Sequence, residues 1–147
     1  SFAKGLALAL RVPIAGIPTL DVVAQPHMAQ PLPIWAVLQA GRGRICAAQY
    51  TRRKGFWERH GDYLLTTPAE LCQQVKEPSL FCGEIDAQAT GEIRQRLGLE
   101  AVIATPAASM RRAAYLAELG WERLARGNVD DASALAPIYL KSPEINA

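Results

Sequence analysis

The sequence has little net charge and no long hydrophobic run, and both shortages narrow what the chain can be. Sixteen Lys and Arg face fourteen Asp and Glu, a balance of +2 over 147 residues. That is too small to mark a dedicated nucleic-acid binder. No apolar stretch approaches the roughly 20 residues that span a bilayer, so no membrane association is expected. The first residues carry neither a charged n-region nor a cleavage-site pattern, which predicts no signal peptide. Cysteine is scarce as well: Cys46, Cys72 and Cys82 are odd in number, widely spaced and without a CxxC pair. This argues against a disulfide framework or a zinc ribbon and predicts free thiols in a reducing, cytoplasmic compartment. What is present is globular. Half the residues are hydrophobic and a fifth are charged, enough for one domain, or one domain and a fragment of another.

Along the chain, AKGLALAL (Ala3 to Leu10) reads as a short apolar helix stopped by Val12 and Pro13. Ile14 to Ile17 reads as a buried strand, and Thr19 as the N-cap of a second helix ending near Pro26. Three prolines between Pro26 and Pro33 make the best linker. Then PIWAVLQA and RICAAQY flank Gly41-Arg42-Gly43 as a hairpin, and the basic cluster Arg52-Arg53-Lys54 turns into a third strand from about Gly55 to Leu65. Pro68 behind Thr67 opens a helix with Leu71, Cys72 and Val75 on one face. Leu80 to Cys82 is a strand ending in Gly83, Ala87 to Leu97 a helix, and AVIA (Ala101 to Ala104) another buried strand. Pro106 is expected to open the longest helix, with Met110, Ala113, Ala114, Ala117, Trp121 and Leu124 on its face and Gly127 just past its end.

Three hairpin-connected strands followed by helix, strand, helix, strand, helix predict an α/β fold with a mixed five-stranded sheet and helices on its faces. This is the element order of a ribonuclease-H-like domain, the unit duplicated in actin-like (ASKHA) ATPases. The first thirty residues match the end of such a unit. The expected division is therefore residues 1–31 as the tail of one ribonuclease-H-like domain and residues 32–147 as a second.

Few residues suggest chemistry. His27 and His60 have no His, Cys, Asp or Glu at i+3 or i+4 and read as surface residues. The cysteines read as small hydrophobes in packed elements. Asp62, Glu84 and Asp86 are the only carboxylates near strand ends. The strand PIWAVLQA carries none, which counts against two-metal nuclease chemistry. No GxxxxGK[ST] or GxGxxG phosphate loop occurs, and Gly41-Arg42-Gly43 reads as a plain turn. Arg52-Arg53-Lys54 with Phe56 and Trp57 mixes basic and aromatic side chains as RNA-contacting surfaces do, but reads first as a solvated hairpin end.

Three segments carry a resemblance. SF followed by AKGLALALRVPIAGIPTLDVVA, the hairpin PIWAVLQAGRGRICAAQY, and AAYLAELGWERLARG with the ending ALAPIYLKSPE together resemble the TsaB (YeaZ) family over nearly the whole chain. Gln39 stands where that family usually has Asp, Arg44 where it has Glu, and Gly83-Glu84 where Gly-Asp-Gly is common. The family pattern also has a first half opening like ILAIDTS, and a stretch TGLRxGLAT between the positions of Phe2 and Ala3. Neither occurs in this sequence, so Phe2 and Ala3 are expected not to be covalent neighbours.

The resemblance implies a non-catalytic scaffold subunit of the bacterial tRNA threonylcarbamoyladenosine machinery. It would bind a TsaD-type catalytic subunit alongside a TsaE-type ATPase, reach tRNA indirectly, pair alternatively as a homodimer, and need no cofactor or metal. It places Ser1, Phe2, Ala3, Lys4, Ala7 and Leu8 on the partner interface, the equal alternative being that this all-apolar helix is a core helix of the first domain. Such sequences have been called glycoprotease-like, yet no HExxH, GxSxG or Cys–His pattern supports proteolysis. The alternative is an ATP-dependent small-molecule kinase of the actin-like superfamily, which would require phosphate-binding hairpins in both domains.

Overall fold

A computed structural model describes residues 1–140. Its centre is a five-stranded sheet in the order β3-β2-β1-β4-β5. The strands are β1 (Ile34–Gly41), β2 (Arg44–Arg53), β3 (Phe56–Thr66), β4 (Ser79–Gly83) and β5 (Ala101–Ile103). The first three pair antiparallel, while β4 runs parallel to β1 and β5 parallel to β4. The expected mixed sheet is thus the one observed.

Both hairpins follow from two-residue turns. Arg42 and Gly43 join β1 to β2, and Lys54 and Gly55 join β2 to β3, all four with positive φ. Paired left-handed residues match the strand twist, which is why a glycine occupies the second position of each turn.

Helices cover both faces. On one, α2 (Thr19–Ala24) lays Leu20, Val23 and Ala24 against Ile34, Ala36, Ala48, Tyr50 and Cys82. On the other, α3 (Pro68–Gln74) and α4 (Ala87–Leu97) bring Leu71, Cys72 and Ile93 onto Trp35, Val37, Ile45, Ala47 and Phe81. The Thr67 hydroxyl accepts from the Glu70 amide, and the Glu70 carboxylate accepts from the Thr67 amide, a capping box with Pro68 at the first helical position.

The crossing of β1 and β4 is tight at Gly83. It has φ +105°, and a Cβ there would stand 2.1 Å from the Val37 carbonyl oxygen and 2.9 Å from Val23 Cγ1. The next amide, Glu84 N–H, donates to that same carbonyl at 2.8 Å. Only glycine fits such an approach.

Several local expectations are corrected. Ile14 to Ile17 is not a buried strand; Ile14 makes a single bridge to Asp130 and the segment is half-buried. Thr19 is the first residue of α2, not its cap; the Pro18 carbonyl accepts from the amides of Asp21 and Val22. AVIA is an edge strand with Val102 exposed, β5 having no strand beyond it among the described residues. Pro106 does not open the long helix. The Thr105 carbonyl and hydroxyl accept the amides of Ser109 and Ala108, closing one isolated turn. Helix α5 begins at Ala113 and runs to Ala125, with Gly127 beyond its end at φ +69° as expected. None of its residues is buried, and Met110 and Trp121 are exposed.

Phe2 and Ala3 are successive residues of one helix, α1 (Phe2–Leu10), and the Gly5 amide donates to the Ser1 carbonyl across them. The expected break between Phe2 and Ala3 does not exist. His27, expected at the surface, is half-buried, and burial holds its imidazole below the ordinary value. The closing segment 141–147 of the resemblance lies outside the described residues.

Candidate partner interface

Helix α1 is apolar nearly all round because its sequence alternates leucine with alanine and glycine. Only one side chain sinks into the chain: Ala7 is 7% exposed. Lys4, one turn earlier, turns the same way, and its ammonium donates to the backbone carbonyls of Ser133 and Leu135 at 3.2 and 2.8 Å. Behind the helix lies a cleft of about 980 Å³ walled by Ile17, Leu38, Arg44, Leu65 and Leu135. So α1 is held by a narrow inner edge. Arg11, with φ +53°, ends it, while the Val12 amide reaches back to the Ala7 carbonyl.

The remaining circumference faces outward. Phe2 is 86% exposed and Leu6 47%, with Leu8, Leu10 and Val12 also exposed. Helical spacing puts Phe2, Gly5, Leu6 and Ala9 in one row, at i, i+3, i+4 and i+7. A Cβ added at Gly5 would touch nothing. A large–small–large–small row of this kind lets a second helix approach closely, and leaving it open to water is costly in apolar area.

Of the six residues named from the sequence, the structure leaves Ser1, Phe2, Ala3 and Leu8 exposed and turns Lys4 and Ala7 inward. Gly5, Leu6 and Ala9 complete the outward row. Periodicity could not assign these faces, since an all-apolar helix has no polar side to orient it. The single charge in the helix pointed the wrong way, because Lys4 is engaged by the distant residues 133–135.

The candidate catalytic groups are occupied structurally. Gln39 Nε2 donates to Asp86 Oδ2 and to the Glu84 carbonyl, each at 3.3 Å, and the Gln39 amide donates to Glu84 Oε2 at 3.2 Å. Glu84 Oε1 pairs with Arg111 at 2.8 Å, and Asp86 Oδ1 caps α4 through the Ala89 amide at 2.7 Å. Asp62 sits elsewhere, on β3. No three His, Cys, Asp or Glu side chains gather as a metal set among the described residues. Burial pushes the Cys82 thiol up to about 12 and raises Cys46 and Cys72 as well, the behaviour of packed thiols. No described helix is long and apolar enough to cross a membrane.

The protein-family model described as TsaD, tRNA N6-adenosine threonylcarbamoyltransferase, matches residues 1–145. The tRNA threonylcarbamoyladenosine biosynthesis protein TsaB of Bacillus subtilis (strain 168) is 28% identical over 150 residues, covering all of this chain and 64% of its own. Among solved structures, YeaZ from Pseudomonas aeruginosa superposes with a TM-score of 0.72 at 21% identity, over 95% of this chain and 64% of that one. A crystal structure described as an uncharacterized protein with similarity to peptidase YEAZ, from the same organism, gives the same values. The chain thus spans just under two thirds of the length of each relative, and shares their actin-like, ribonuclease-H-like fold. With nearly every residue matched by the family model, the chain belongs to the TsaD threonylcarbamoyltransferase family, and within it is similar to TsaB and YeaZ.

Proposed function

We propose that the protein carrying this chain is the non-catalytic scaffold subunit of the bacterial tRNA threonylcarbamoyladenosine complex, and that it binds a TsaD-type catalytic subunit through α1. The observation that carries this reading is the match of the TsaD family model over residues 1–145 together with the likeness to TsaB. The row Phe2, Gly5, Leu6 and Ala9, exposed in a chain that spans 64% of its relatives' length, must be covered either by the partner or by the rest of the protein. Ser1, Ala3 and Leu8 flank the row; Lys4 and Ala7 act from behind by fixing the helix in place. The same face pairs two copies when the partner is absent. A TsaE-type ATPase joins the pair, tRNA modification takes place on the partner, and the site of action is the cytoplasm. The engaged carboxylates at Glu84 and Asp86 support a scaffold over an enzyme, and the relatives lend no support to the kinase alternative.

The proposal extends to organisation. Residues 1–31 are the end of a first ribonuclease-H-like unit and residues 32–147 a second, an assignment supported by the helix–segment–helix order before β1. Helix α2 packs on the second unit's sheet, so this division follows chain order and not separate packed bodies.

Reconstitution tests the function. A purified TsaD-type subunit with its ATPase, threonine, bicarbonate, ATP and tRNA should form threonylcarbamoyladenosine only when the full-length protein is added. Equal product without it would contradict the reading.

A further inference from the structure

The β2–β3 hairpin extends beyond the sheet. Strand β1 begins at Ile34, opposite Tyr50, whereas the β2–β3 pairing continues through Thr51↔Glu58, Arg52↔Trp57 and Arg53↔Phe56. The result is a two-stranded arm closed by Lys54 and Gly55. It is anchored at its root by Trp57, whose indole N–H donates to the Met28 carbonyl at 2.6 Å. An anchored arm presents its tip in one place.

The tip has an unusual surface. Residues 51–62 carry Arg52, Arg53, Lys54 and Arg59 against Glu58 and Asp62, so this segment holds the chain's entire net charge of +2 and the rest is neutral. Phe56 stands at the tip 79% exposed, on the same face as Arg53. That face continues into a groove of about 710 Å³ whose walls hold Gln49, Thr51, His60 and Gln73 with balanced charge, Arg53 and Lys76 against Asp62 and Glu77. In the floor lies Trp35, 3% exposed, whose indole N–H has no partner among the described residues. A buried donor left unpaired costs free energy unless an acceptor reaches it.

We infer that the arm and its groove bind single-stranded RNA, with Phe56 stacked on an unpaired base and Arg52, Arg53 and Lys54 on flanking phosphates. Arg53 pairs with Glu58 at 3.5 Å and Arg52 Nε donates to the Gly55 carbonyl at 3.3 Å, both exposed contacts that a phosphate can replace. The surplus of positive charge at the tip selects a polyanion, and the exposed ring beside it selects bases over a sulfated or acidic peptide surface. The groove supplies hydrogen-bonding groups for one base edge. This rests on the proposed function only in naming the RNA as an unpaired loop of tRNA.

The test uses a fluorescein-labelled anticodon stem-loop RNA and the full-length protein, alone and with its TsaD-type partner, by fluorescence anisotropy across a salt series. Neutralising Arg52, Arg53 and Lys54 together to Gln should weaken binding about 10-fold and flatten the log K against log salt slope by roughly 2, from about 0.7 per phosphate. Phe56→Ala should weaken it about 10-fold with the slope unchanged, and Phe56→Trp should restore it. Wild-type affinity and slope in these variants would overturn the inference, as would a wild-type protein that does not bind the RNA. Variants that spare RNA binding but lose co-elution with the partner would also overturn it, making the arm a protein contact. Failure of the wild-type protein to co-elute with the partner would instead count against the proposed function, and the RNA measurement on the protein alone would still decide the arm.

Discussion

The Tyr50 hydroxyl donates to Asp21 Oδ1 at 2.5 Å, across 29 residues of sequence, and pins α2 to the second strand of the sheet. Tyr63 donates to the same oxygen at 3.1 Å, while the Arg59 guanidinium lies 4.2 Å from the Tyr63 ring centroid. Burial, then the Asp21 charge, pushes Tyr63 up to about 12 and raises Tyr50 further. Both phenols are therefore held protonated by the fold.

This predicts alkaline sensitivity with a definite sign. A phenol whose folded value exceeds its unfolded value near 10 contributes stability that is complete below pH ~10 and lost as pH rises through ~12. Thermal unfolding between pH 9 and 12 should show Tm falling progressively. Tyr50→Phe leaves Asp21 with one fewer donor and should cost about 1–3 kcal/mol at pH 7. A denaturant titration checks this.

At Gly83, substitution by alanine brings a methyl onto the Val37 carbonyl at a positive φ. The neighbour is backbone of the central strand and cannot swing away. The expected loss is about 3 kcal/mol or more, read as a lowered urea midpoint. Gly5→Ala meets nothing and should slightly stabilise α1.

Arg123 ties the two ends of the described chain together. Its guanidinium donates to both Asp130 carboxylate oxygens and to the Gly16 carbonyl, while the Gly16 amide donates to Asp130 Oδ2 at 2.7 Å. The Gly16 amide and Arg123 hold the Asp130 carboxyl below its ordinary value. Its contribution is therefore present above pH ~4 and lost as pH falls through that depressed value. In Asp130→Asn, hydrogen exchange of the Gly16 amide should quicken at least several-fold, with the core amides of β1 unchanged.

What was legible in the sequence had local causes. Gly41-Arg42-Gly43 set its own turn, Thr67-Pro68 opened α3, and α4 runs from Ala87 to Leu97 where the pattern put it, with Asp86 as a cap it missed. The misreadings came from side-chain and backbone partners that periodicity does not show, two of the three far away in sequence. Ile14 is bridged by Asp130, the turn after Pro106 is closed by Thr105, and Lys4 is drawn inward by carbonyls about 130 residues away. The outward face of α1 was invisible for a related reason: a helix of leucine, alanine and glycine carries no polar side, so only packing could choose which row to expose.

That choice separates two substitutions three ångströms apart along the helix, by the usual rise of about 1.5 Å per residue counted from Gly5 to Ala7. Ala7→Glu buries a charge at a site 7% exposed and should unfold the region. Gly5→Glu projects into open space and should leave circular dichroism and Tm close to wild type.

The most direct test of the central claim is isothermal titration of the full-length protein against a TsaD-type subunit, the proposed partner, comparing wild type with Leu6→Glu. Leu6 lies on the row exposed in this chain, so with its fold first established by circular dichroism the variant should bind at least about 100-fold more weakly, a charge having been desolvated against an apolar helix. A folded Leu6→Glu protein with wild-type affinity would contradict the account.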